Sequence, residues 1–339
     1  MSILEVAREA GVSVATVSRV FNVPDKVAPA TREHVEHIAR TLGYLPNASA
    51  RTLRTQRSRV LGVVLPTLTN PVFAECLEGI AQAAVAGGYA ISPFTTDYRL
   101  DQEDRAVNLL LAGNVDGMIL VVSNPATSTA LQRLAEVGLP YVLAYNHHPD
   151  HPCVSVNSEL AVADVVAHLA TLGHRRIAMV SGLLSASDRA QQRCRGYARG
   201  MEQAGLRAQP VLQVPFVAAA PEVLGEALNS QDRPTALVCS NDLLAIRSIR
   251  AAHLAGLAVP RDLSVVGFDG IALGQDLTPQ LSTVVQPNAD IGRHSVELLA
   301  QAVASGNPLG PDMGLTLAHQ FRAGESCAPP ASSLVPPLT

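Results

Sequence analysis

The 339-residue sequence predicts an α/β protein in which a small all-helical unit precedes a larger unit of two parallel sheets. Within residues 1–45, short amphipathic stretches are separated by a glycine and by prolines. From Val60 onward, short apolar runs alternate with longer helical stretches, which is the pattern of strands joined by helices in parallel sheets. The apolar runs are too numerous for one ordinary sheet, and a chain of this length exceeds a single core.

Residues 2–22, SILEVAREAGVSVATVSRVFN, predict two short helices joined by a tight turn. Ser2 and Glu5 have the spacing of a capping box, Gly11 favours the turn that ends the first helix, and Ser13 favours the start of the second. This order of signals is typical of a helix-turn-helix DNA reader. The apolar residues expected on the inner faces are Val6, Ala7, Ala10, Val17 and Val20.

A third helix is predicted over residues 31–42, where Val35, Ile38 and Leu42 recur at helical spacing. It would close a three-helix domain over residues 1–45. Ala28, which precedes Pro29, has no capping oxygen, a loss that costs about 1 kcal/mol. Residues 47–55, NASARTLRT, form a polar and basic segment of helix-compatible composition between this domain and the sheets.

In the rest of the chain, seven apolar runs predict strands, and stretches between them predict helices. The predicted strands are 60–65, 89–94, 117–122, 141–145, 177–181, 236–240 and 263–268. The predicted helices include 72–86, 102–112 and 162–172. Residues 328–339 are rich in proline and serine and indicate a flexible tail.

The composition is that of an ordinary folded protein, with 47% hydrophobic and 16% charged residues, which argues against disorder. No run of about 18 apolar residues occurs, so we expect no membrane span. A capped helix follows Met1 without a basic and apolar leader, so we expect a cytoplasmic protein associated with the nucleoid. The five cysteines stand singly, which favours reduced, buried thiols.

The net charge of −4 conceals an asymmetry along the chain. Residues 1–59 carry a formal charge of +4, whereas the remainder carries −8. A basic small unit on an acidic large one is expected if only the small unit meets the phosphates of nucleic acid.

Three segments of the chain resemble the LacI/GalR (lactose-repressor type) family of bacterial transcription regulators. They are AREAGVSVATVSRVFN, TREHVEHIARTLGYLPNASARTLRT and VLGVVLPTLTNPVFAECLEGI. The resemblance extends from Ser2 to about Gly324. It implies a periplasmic-binding-protein-like (Rossmann-like) effector domain of two similar subdomains, between which the chain crosses three times.

On this basis we expect a helix-turn-helix domain at 1–45, a hinge helix or linker at 46–58, an effector-binding and dimerisation domain at 59–327, and a tail at 328–339. The first subdomain would comprise about 59–157 and 288–316. The second would comprise about 158–287 and 317–327. The crossings are expected near Asn157, Pro287 and Leu317.

The start of the second helix is expected to read DNA, since side chains there reach base edges in the major groove. Arg19 is the candidate for a bidentate contact with guanine, and Val14 and Ala15 for thymine methyl groups. Thr16, Ser18 and Asn22 are expected to hold phosphates.

The resemblance implies that residues 47–55 form a hinge helix that binds the minor groove as a pair in a homodimer. Leu53 stands at the position of the leucine that kinks the central base step, flanked by Arg51 and Arg54, with Asn47 ahead of them. An apolar wedge beside arginines suits minor-groove binding. The implied partner is a palindromic operator in double-stranded DNA.

Seven residues at predicted strand ends or in helices match the positions that hold ligands in this family. Ligands of open α/β sheets bind beyond the carboxyl ends of the strands, and a sugar requires an apolar plate with polar groups for its hydroxyls. The seven residues are Phe73, Asn146, Arg193, Phe216, Asn241, Asp269 and Gln286.

Four of these residues also have a purely structural interpretation. Phe73 and Phe216 suit a core, and Asn241 and Asp269 suit local turns. Arg189 lies one helical turn before Arg193 and is expected at the same pocket.

The ligand is expected to be a sugar acid, such as an aldonate or ketoaldonate, rather than a neutral sugar. Asn146 stands where the family often has a carboxylate, and Arg189 adds a positive charge, a combination that favours an acidic ligand. The segment LPTLTNPVFAE is also similar to gluconate-type repressors of this family.

Other chemistries have little support in the sequence. His147, His148 and His151 have a spacing compatible with a metal, but they fall in a predicted loop, so we expect solvated histidines, no metal and no cofactor. The motifs GxSxG, HExxH and the P-loop are absent, which argues against an enzyme.

The sequence therefore predicts a DNA-binding transcription regulator, most simply a repressor of a carbohydrate or sugar-acid operon, controlled by a small ligand. One alternative is a corepressor-dependent regulator that senses a purine or another metabolite. A different class is a cytoplasmic sugar-binding protein without a regulatory role.

Overall fold

The computed structural model describes residues 1–44, 57–215 and 221–331, with the side chains of 221 and 222 left out. The chain divides into two compact units, Met1–Arg59 and Val60–Thr339. The predicted hinge residues Asn47, Arg51, Leu53 and Arg54, and the predicted ligand residue Phe216, lie outside the described residues. The α/β fold class predicted from the sequence is confirmed.

The first unit contains helices α1 (Ile3–Glu9), α2 (Val14–Asn22) and α3 (Pro29–Thr41). The capping box is present, because the Ser2 hydroxyl accepts from the Glu5 backbone and the Glu5 carboxylate accepts from the Ser2 backbone. Ser13 caps α2 and Gly11 adopts a φ of 63° at the turn. Ala28 offers no side-chain cap to α3.

The inner faces of these helices form one small core. All seven of its fully buried residues are alanine or valine, which lets short helices approach closely. The buried residues are Val6, Ala7, Ala10, Val17, Val20, Val35 and Ala39.

The second unit alternates strands and helices along the chain. Its strands are β1 (Val60–Leu65), β2 (Ala90–Thr95), β3 (Gly117–Leu120), β4 (Tyr141–Ala144), β5 (Cys153–Val156), β6 (Ile177–Ser181), β7 (Leu212–Gln213), β8 (Ala236–Cys239), β9 (Ser264–Asp269), β10 (Ser282–Val285), β11 (Leu315–Leu317) and β12 (Gln320–Arg322). Its helices are α4 (Pro71–Ala86), α5 (Leu100–Ala112), α6 (Thr129–Val137), α7 (Ser158–Thr171), α8 (Asp188–Gln203), α9 (Pro221–Asn229), α10 (Asp242–Leu254) and α11 (Asn288–Ser305).

Two six-stranded sheets define two subdomains. The first has the order β11-β5-β4-β3-β1-β2 and is parallel throughout. The second has the order β12-β10-β9-β8-β6-β7 and is parallel except for β12, which runs antiparallel to β10. Each sheet has apolar clusters on both faces, as parallel sheets require.

The chain passes between the subdomains three times. It leaves β5 of the first sheet for α7, whose apolar residues pack in the second subdomain. It leaves β10 of the second sheet for α11, which packs on α4 of the first subdomain. It passes from β11 to β12, which belong to different sheets. No helix among residues 1–44, 57–215 and 221–331 is long and apolar enough to cross a membrane.

Helices α4 and α11 approach each other closely because glycines face the contact. A Cβ atom on Gly79 would overlap the carbonyl oxygen of Ala289, and one on Gly292 would overlap that of Cys76. Since both obstacles are backbone atoms, neither can move aside without shifting a helix.

We therefore expect Gly79→Ala to destabilise the protein by about 1–3 kcal/mol, the usual cost of overpacking. Gly225→Ala in α9 is the control, because a Cβ there meets no described atom within 4 Å, and alanine favours a helix over glycine. Thermal unfolding followed by circular dichroism measures both. An unchanged midpoint for Gly79→Ala would show that the two helices do not pack as described.

Candidate nucleic-acid interface and ligand cleft

The beginning of α2 presents three exposed side chains. Val14 is 38% exposed, and Ala15 and Arg19 are also exposed, while Val17 and Val20 on the opposite face are buried. The exposed stripe carries two small apolar groups and one guanidinium, which are the groups that contact thymine methyls and guanine in a major groove.

The other three residues predicted on this helix have local hydrogen bonds. The Thr16 hydroxyl lies 2.9 Å from that of Ser13, within the helix cap. The Asn22 amide donates to the backbone oxygen of Ser18 at 2.6 Å and to its hydroxyl at 3.3 Å. Thr16, Ser18 and Asn22 are half-buried, so a phosphate contact would have to share these hydroxyls and amides with the helix.

A cavity lies between the two subdomains, at the carboxyl ends of several strands. We call it the inner cavity. Six of the eight residues predicted for the ligand site line it. Its lining is Asn70, Val72, Phe73, Tyr98, Tyr145, Ser187, Arg189, Ala190, Arg193, Ser240, Asn241, Asp269 and Gln286.

Arg193 and Asp269 form the polar centre of the inner cavity. The Arg193 guanidinium lies 3.6 Å from the Asp269 carboxylate, donates to the Ser240 carbonyl, and stacks 3.7 Å above the centre of the Phe268 ring. The Asp269 carboxylate also accepts from Gln286 at 3.0 Å and from Asn70 at 3.3 Å. Asn70 belongs to the first subdomain and Asp269 to the second, so this group joins the two.

Arg189 has a second carboxylate as its partner. Its guanidinium lies 3.0 Å from the Asp188 carboxylate and donates at 2.8 Å to the carbonyl oxygen of Val122, which follows β3 in the first subdomain. Both side chains are buried. Each buried arginine of the cavity is therefore neutralised by one aspartate.

Asn146 is fully buried but does not line the inner cavity. Its amide oxygen accepts from the Val122 backbone at 3.0 Å, and its amide nitrogen donates to the Val122 carbonyl at 2.9 Å and to the Asp188 carboxylate at 2.6 Å. The polar atoms of Asn146 thus hold Val122 and Asp188 in this structure, and its contact with a ligand stays a prediction.

The remaining predicted residues combine local and cavity roles. Asn241 caps α10, since its side-chain oxygen accepts from Leu244 at 2.8 Å, and it also lines the cavity. Phe73 belongs to the core of the first subdomain and meets Tyr145 edge-on at 5.6 Å between ring centres. Phe73 therefore belongs to the core and also lines the inner cavity, which is compatible with both interpretations.

The backbone is strained where it borders the cavity. Tyr98, Tyr145 and Asp269 have φ values of 59°, 63° and 121°, a region that non-glycine residues rarely adopt. Such strain concentrates at functional sites because the surrounding structure must enforce it. Tyr98, Tyr145 and Asn70 were not predicted as ligand residues, although Asn70 and Tyr98 follow predicted strands and Tyr145 ends one.

Asp242 enforces the conformation of the Asp269 loop. One carboxylate oxygen accepts from the backbone of Gly270 and of Ile271, each at 2.8 Å, and the other accepts from the Thr283 hydroxyl at 2.5 Å. Burial, together with the nearby Asp269 carboxylate, raises the pKa of Asp242 to about 7. Burial also raises the pKa of Asp269 to about 6, against the opposing charge of Arg193.

The histidines after β4 lie in a loop. His151 is hydrogen-bonded to the Tyr141 hydroxyl at 2.7 Å, and its ring packs against that of His148. Among the described residues, no cluster of three or more His, Cys, Asp or Glu is arranged to hold a metal ion.

Comparisons with known proteins bear on both sites. Residues 2–47 match the family model of bacterial regulatory proteins, lacI family, and residues 166–327 match that of a periplasmic binding protein-like domain. The catabolite control protein A of Priestia megaterium is 35% identical over 306 residues, which cover 89% of this chain and 92% of that protein. The chain belongs to the lacI family of bacterial regulators.

Further comparisons agree with this membership. The HTH-type transcriptional repressor CytR of Escherichia coli (strain K12) is 33% identical over 315 residues, covering 90% of this chain and 92% of that protein. The lac repressor dimer bound to operator and the anti-inducer ONPF superposes with a TM-score of 0.86 at 27% identity, covering 97% of this chain and 99% of that chain.

This lacI-family protein is a DNA-binding transcription repressor with a ligand-binding effector domain. Its relatives are transcription regulators and not enzymes. The helix-turn-helix lies in the first unit and the inner cavity lies within the second.

The raised pKa of Asp242 predicts a pH-dependent stability. A carboxyl group whose pKa is higher in the folded than in the unfolded state favours folding below its unfolded pKa, and this contribution is lost as the pH rises through about 7. We expect the free energy of unfolding to rise as the pH falls from 7.5 to 5, by at most about 1.4 kcal/mol per pH unit for this group.

Urea unfolding of wild type and Asp242→Asn at several pH values tests this expectation. The asparagine retains the shape and an acceptor for the Gly270 and Ile271 backbone, but it does not titrate, so its pH profile should be flatter. Asp232→Asn, at an exposed position, is the control. Parallel profiles for wild type and Asp242→Asn would rule out proton uptake at this site.

Proposed function

We propose that this protein represses a carbohydrate or sugar-acid utilisation operon, binds a palindromic operator as a homodimer, and changes its operator affinity when a small ligand occupies the inner cavity. The observation that carries the proposal is the lining of this cavity. It combines aromatic rings, paired charges and amides at the junction of two subdomains, which is the composition that a polyhydroxylated ligand requires.

The polar atoms of the cavity support a ligand with several hydroxyl groups. Asp269 offers carboxylate oxygens, Gln286 and Asn241 offer amides, and Phe73 and Tyr145 offer apolar faces. In the described structure, Arg189 Nη2 and Arg193 Nε are buried nitrogens without a hydrogen-bond partner. Buried donors of this kind are costly when unsatisfied, so a ligand oxygen that accepts from them gains affinity.

A sugar acid remains our preferred ligand over a neutral sugar. The structure changes the argument for it, because Asp188 neutralises Arg189 and Asn146 does not reach the cavity. The support now comes from the two unsatisfied arginine nitrogens rather than from a net positive charge.

Control of DNA affinity follows from the position of the cavity. Its lining includes Asn70 and Phe73 of the first subdomain and Arg193 and Asp269 of the second. A ligand that contacts both binds best at one relative orientation of the subdomains. If operator binding favours another orientation, the ligand lowers operator affinity, typically by a coupling free energy of about 1–3 kcal/mol.

The hinge proposal predicts that Leu53→Ala weakens operator binding by at least about tenfold, because the wedge that opens the central base step is lost. Ligand affinity should not change. Fluorescence anisotropy with operator DNA and calorimetry with ligand measure the two effects. Leu254→Ala, an exposed leucine of the second unit, is the control. If Leu53→Ala binds operator with the same affinity as the wild type, Leu53 does not act as a wedge between base pairs.

The cavity proposal predicts that Arg193→Ala abolishes the response to ligand while the protein still binds operator. The physical reason is the loss of the guanidinium that faces ligand oxygens. Arg195→Ala, an exposed arginine of the same helix, should respond normally.

Arg193→Ala leaves Asp269 buried without its partner, which destabilises proteins by several kcal/mol. The double variant Arg193→Ala/Asp269→Asn therefore accompanies it as a folding check. A normal ligand response in either variant would exclude Arg193 from the ligand site.

A genomic capture experiment tests the proposed function as a whole. The purified protein is incubated with fragments of the source genome, with and without a pool of sugars and sugar acids, and the fragments that it retains are sequenced. Recovery of a few palindromic sites that are lost with the pool supports induction, whereas sites gained with the pool indicate corepression. Retention of bulk DNA alone, sensitive only to salt, would refute sequence-specific regulation.

A further inference from the structure

The two walls of the inner cavity differ in chemical character. In the described part of the chain, the first subdomain contributes mostly apolar and aromatic side chains, which are Asn70, Val72, Phe73, Tyr98 and Tyr145. The second subdomain contributes mostly polar and charged side chains, which are Ser187, Arg189, Ala190, Arg193, Ser240, Asn241, Asp269 and Gln286. We call these the apolar wall and the polar wall. A ligand between them meets carbon atoms on one side and hydrogen-bonding groups on the other.

Two side chains that would weaken this contrast are already engaged. The Asn70 amide oxygen accepts from the Val72 backbone at 3.4 Å, where it caps α4, and its amide nitrogen donates to the Asp269 carboxylate at 3.3 Å. In the second subdomain, the Arg193 guanidinium covers the ring of Phe268. The polar wall therefore offers a cation where it has an aromatic ring behind it.

Phe73 and Tyr145 form a fixed part of the apolar wall. Their rings meet edge-on, and neither residue is more than 5% exposed. The Tyr145 hydroxyl donates to the Val72 carbonyl at 3.0 Å, so its polar end is used within the first subdomain.

Tyr98, the third aromatic residue of this wall, lies in a turn that a tyrosine rarely occupies. The Arg99 backbone donates to the Thr96 carbonyl at 2.9 Å, and the two central residues, Asp97 and Tyr98, have φ values of 49° and 59°. Consecutive positive φ values are those of a type I′ turn, which favours glycine, asparagine and aspartate. The Asp97 backbone donates to the Pro66 carbonyl at 2.7 Å, which attaches the turn to the end of β1. A bulky residue kept in such a strained conformation indicates a functional role for its side chain.

The Tyr98 side chain is half-buried and lies within electrostatic range of the polar wall. Burial raises the pKa of Tyr98 to about 12, and the charges of Arg189, Asp269 and Arg193 also act on its hydroxyl. Tyr98 is therefore neutral at physiological pH. It offers a ligand an uncharged aromatic ring opposite the charged groups.

A closed sugar ring has the same two-sided character as the cavity. Its C–H groups form an apolar face, and its hydroxyl groups project from its rim. An open-chain polyol has no rigid face and loses more conformational freedom when it binds. Among sugar acids, ketoaldonates retain a carbonyl group and can close a ring through a hemiketal, whereas aldonates have no such carbonyl group.

We propose that the effector binds as a closed sugar ring, with its C–H face against the Tyr98 ring and its hydroxyl or carboxylate oxygens toward the polar wall. This inference rests on the proposed function and deepens it, because it selects ring-forming sugars and ketoaldonates over alditols and aldonates. Tyr98 is then a residue that determines ligand selectivity.

Matched pairs of ligands on the full-length protein test the selectivity for a ring. Each hexose or pentose is compared with its alditol, and each 2-ketoaldonate with its aldonate, so that the members of a pair differ by two hydrogen atoms and by the ability to close a ring. Thermal shift identifies the pairs that bind, and calorimetry measures both affinities. In the wild type, the ring-forming member should bind at least about tenfold more tightly, because it buries an apolar face and its conformation is already restricted.

Variants of Tyr98 then isolate its contribution. Tyr98→Asn removes the ring and suits the turn, because asparagine is favoured at positive φ. It should weaken the ring-forming ligand by about tenfold or more and the open-chain ligand by less than about threefold. Tyr98→Phe keeps the apolar face and should stay within about threefold of the wild type for both ligands. Leu100→Ala, at an exposed position two residues later, is the control and should behave as the wild type.

Three results would overturn the inference. The first is equal affinity of the wild type for both members of the pairs that bind. The second is an equal loss for both members in Tyr98→Asn. The third is a loss in Tyr98→Phe as large as that in Tyr98→Asn, which would assign the effect to the hydroxyl group instead of the ring face.

The melting midpoint without ligand and the operator affinity are measured for every variant, so that a folding defect is recognised. If the pairs bind without a preference for the ring, the proposed carbohydrate regulation holds and only this inference is lost. If a protein that binds operator binds no sugar or sugar acid of either kind, the carbohydrate part of the proposed function is lost together with the inference.

Discussion

The ligand cleft depends on the burial of one carboxylate, Asp269. It is 2% exposed, is the last residue of the central strand β9, and has a φ of 121°. A buried charge of this kind is tolerated only when it is paired and hydrogen-bonded. Arg193, Gln286 and Asn70 supply those contacts from three different parts of the chain. Each of these three side chains is therefore held in place by its contact with the Asp269 carboxylate.

The loop that carries Asp269 has its own support. Asp242, at the first turn of α10, accepts hydrogen bonds from two backbone amides of the loop and from a hydroxyl of the neighbouring strand. These hydrogen bonds of Asp242 hold the strained backbone of the loop, and they thereby keep the Asp269 carboxylate in its position at the cavity.

A second set of contacts joins the subdomains at the other side of the inner cavity. The Asp188 backbone donates to the carbonyl of Ser123 at 2.7 Å, and Ser123 in turn donates from its backbone and hydroxyl to the buried Glu103 carboxylate. Asn146 and Arg189 complete this group through Asp188 and Val122. The contacts of Asp188 and of Asp269 thus both join the two subdomains, whose relative position is what we propose an effector changes.

The sequence by itself determined the local structure of this protein. Helix starts depend on side chains three residues apart, such as Ser2 with Glu5 and Ser13 with Thr16, and these were predicted correctly. Long apolar strands such as β1 and β6 have the predicted bounds. Five strands of two to four residues, β5, β7, β10, β11 and β12, carry too few residues for a periodic pattern and were missed.

Only the tertiary structure decided the partners of the buried polar groups. Asn70 meets Asp269 across 199 residues and Asn146 meets Asp188 across 42, so nothing in the local pattern relates them. Candidate ligand residues were identified because strand ends converge at one edge of a parallel sheet. Whether a side chain faces the cavity or another side chain depends on that packing. This is why the sequence did not show that Asp188 pairs with both Asn146 and Arg189.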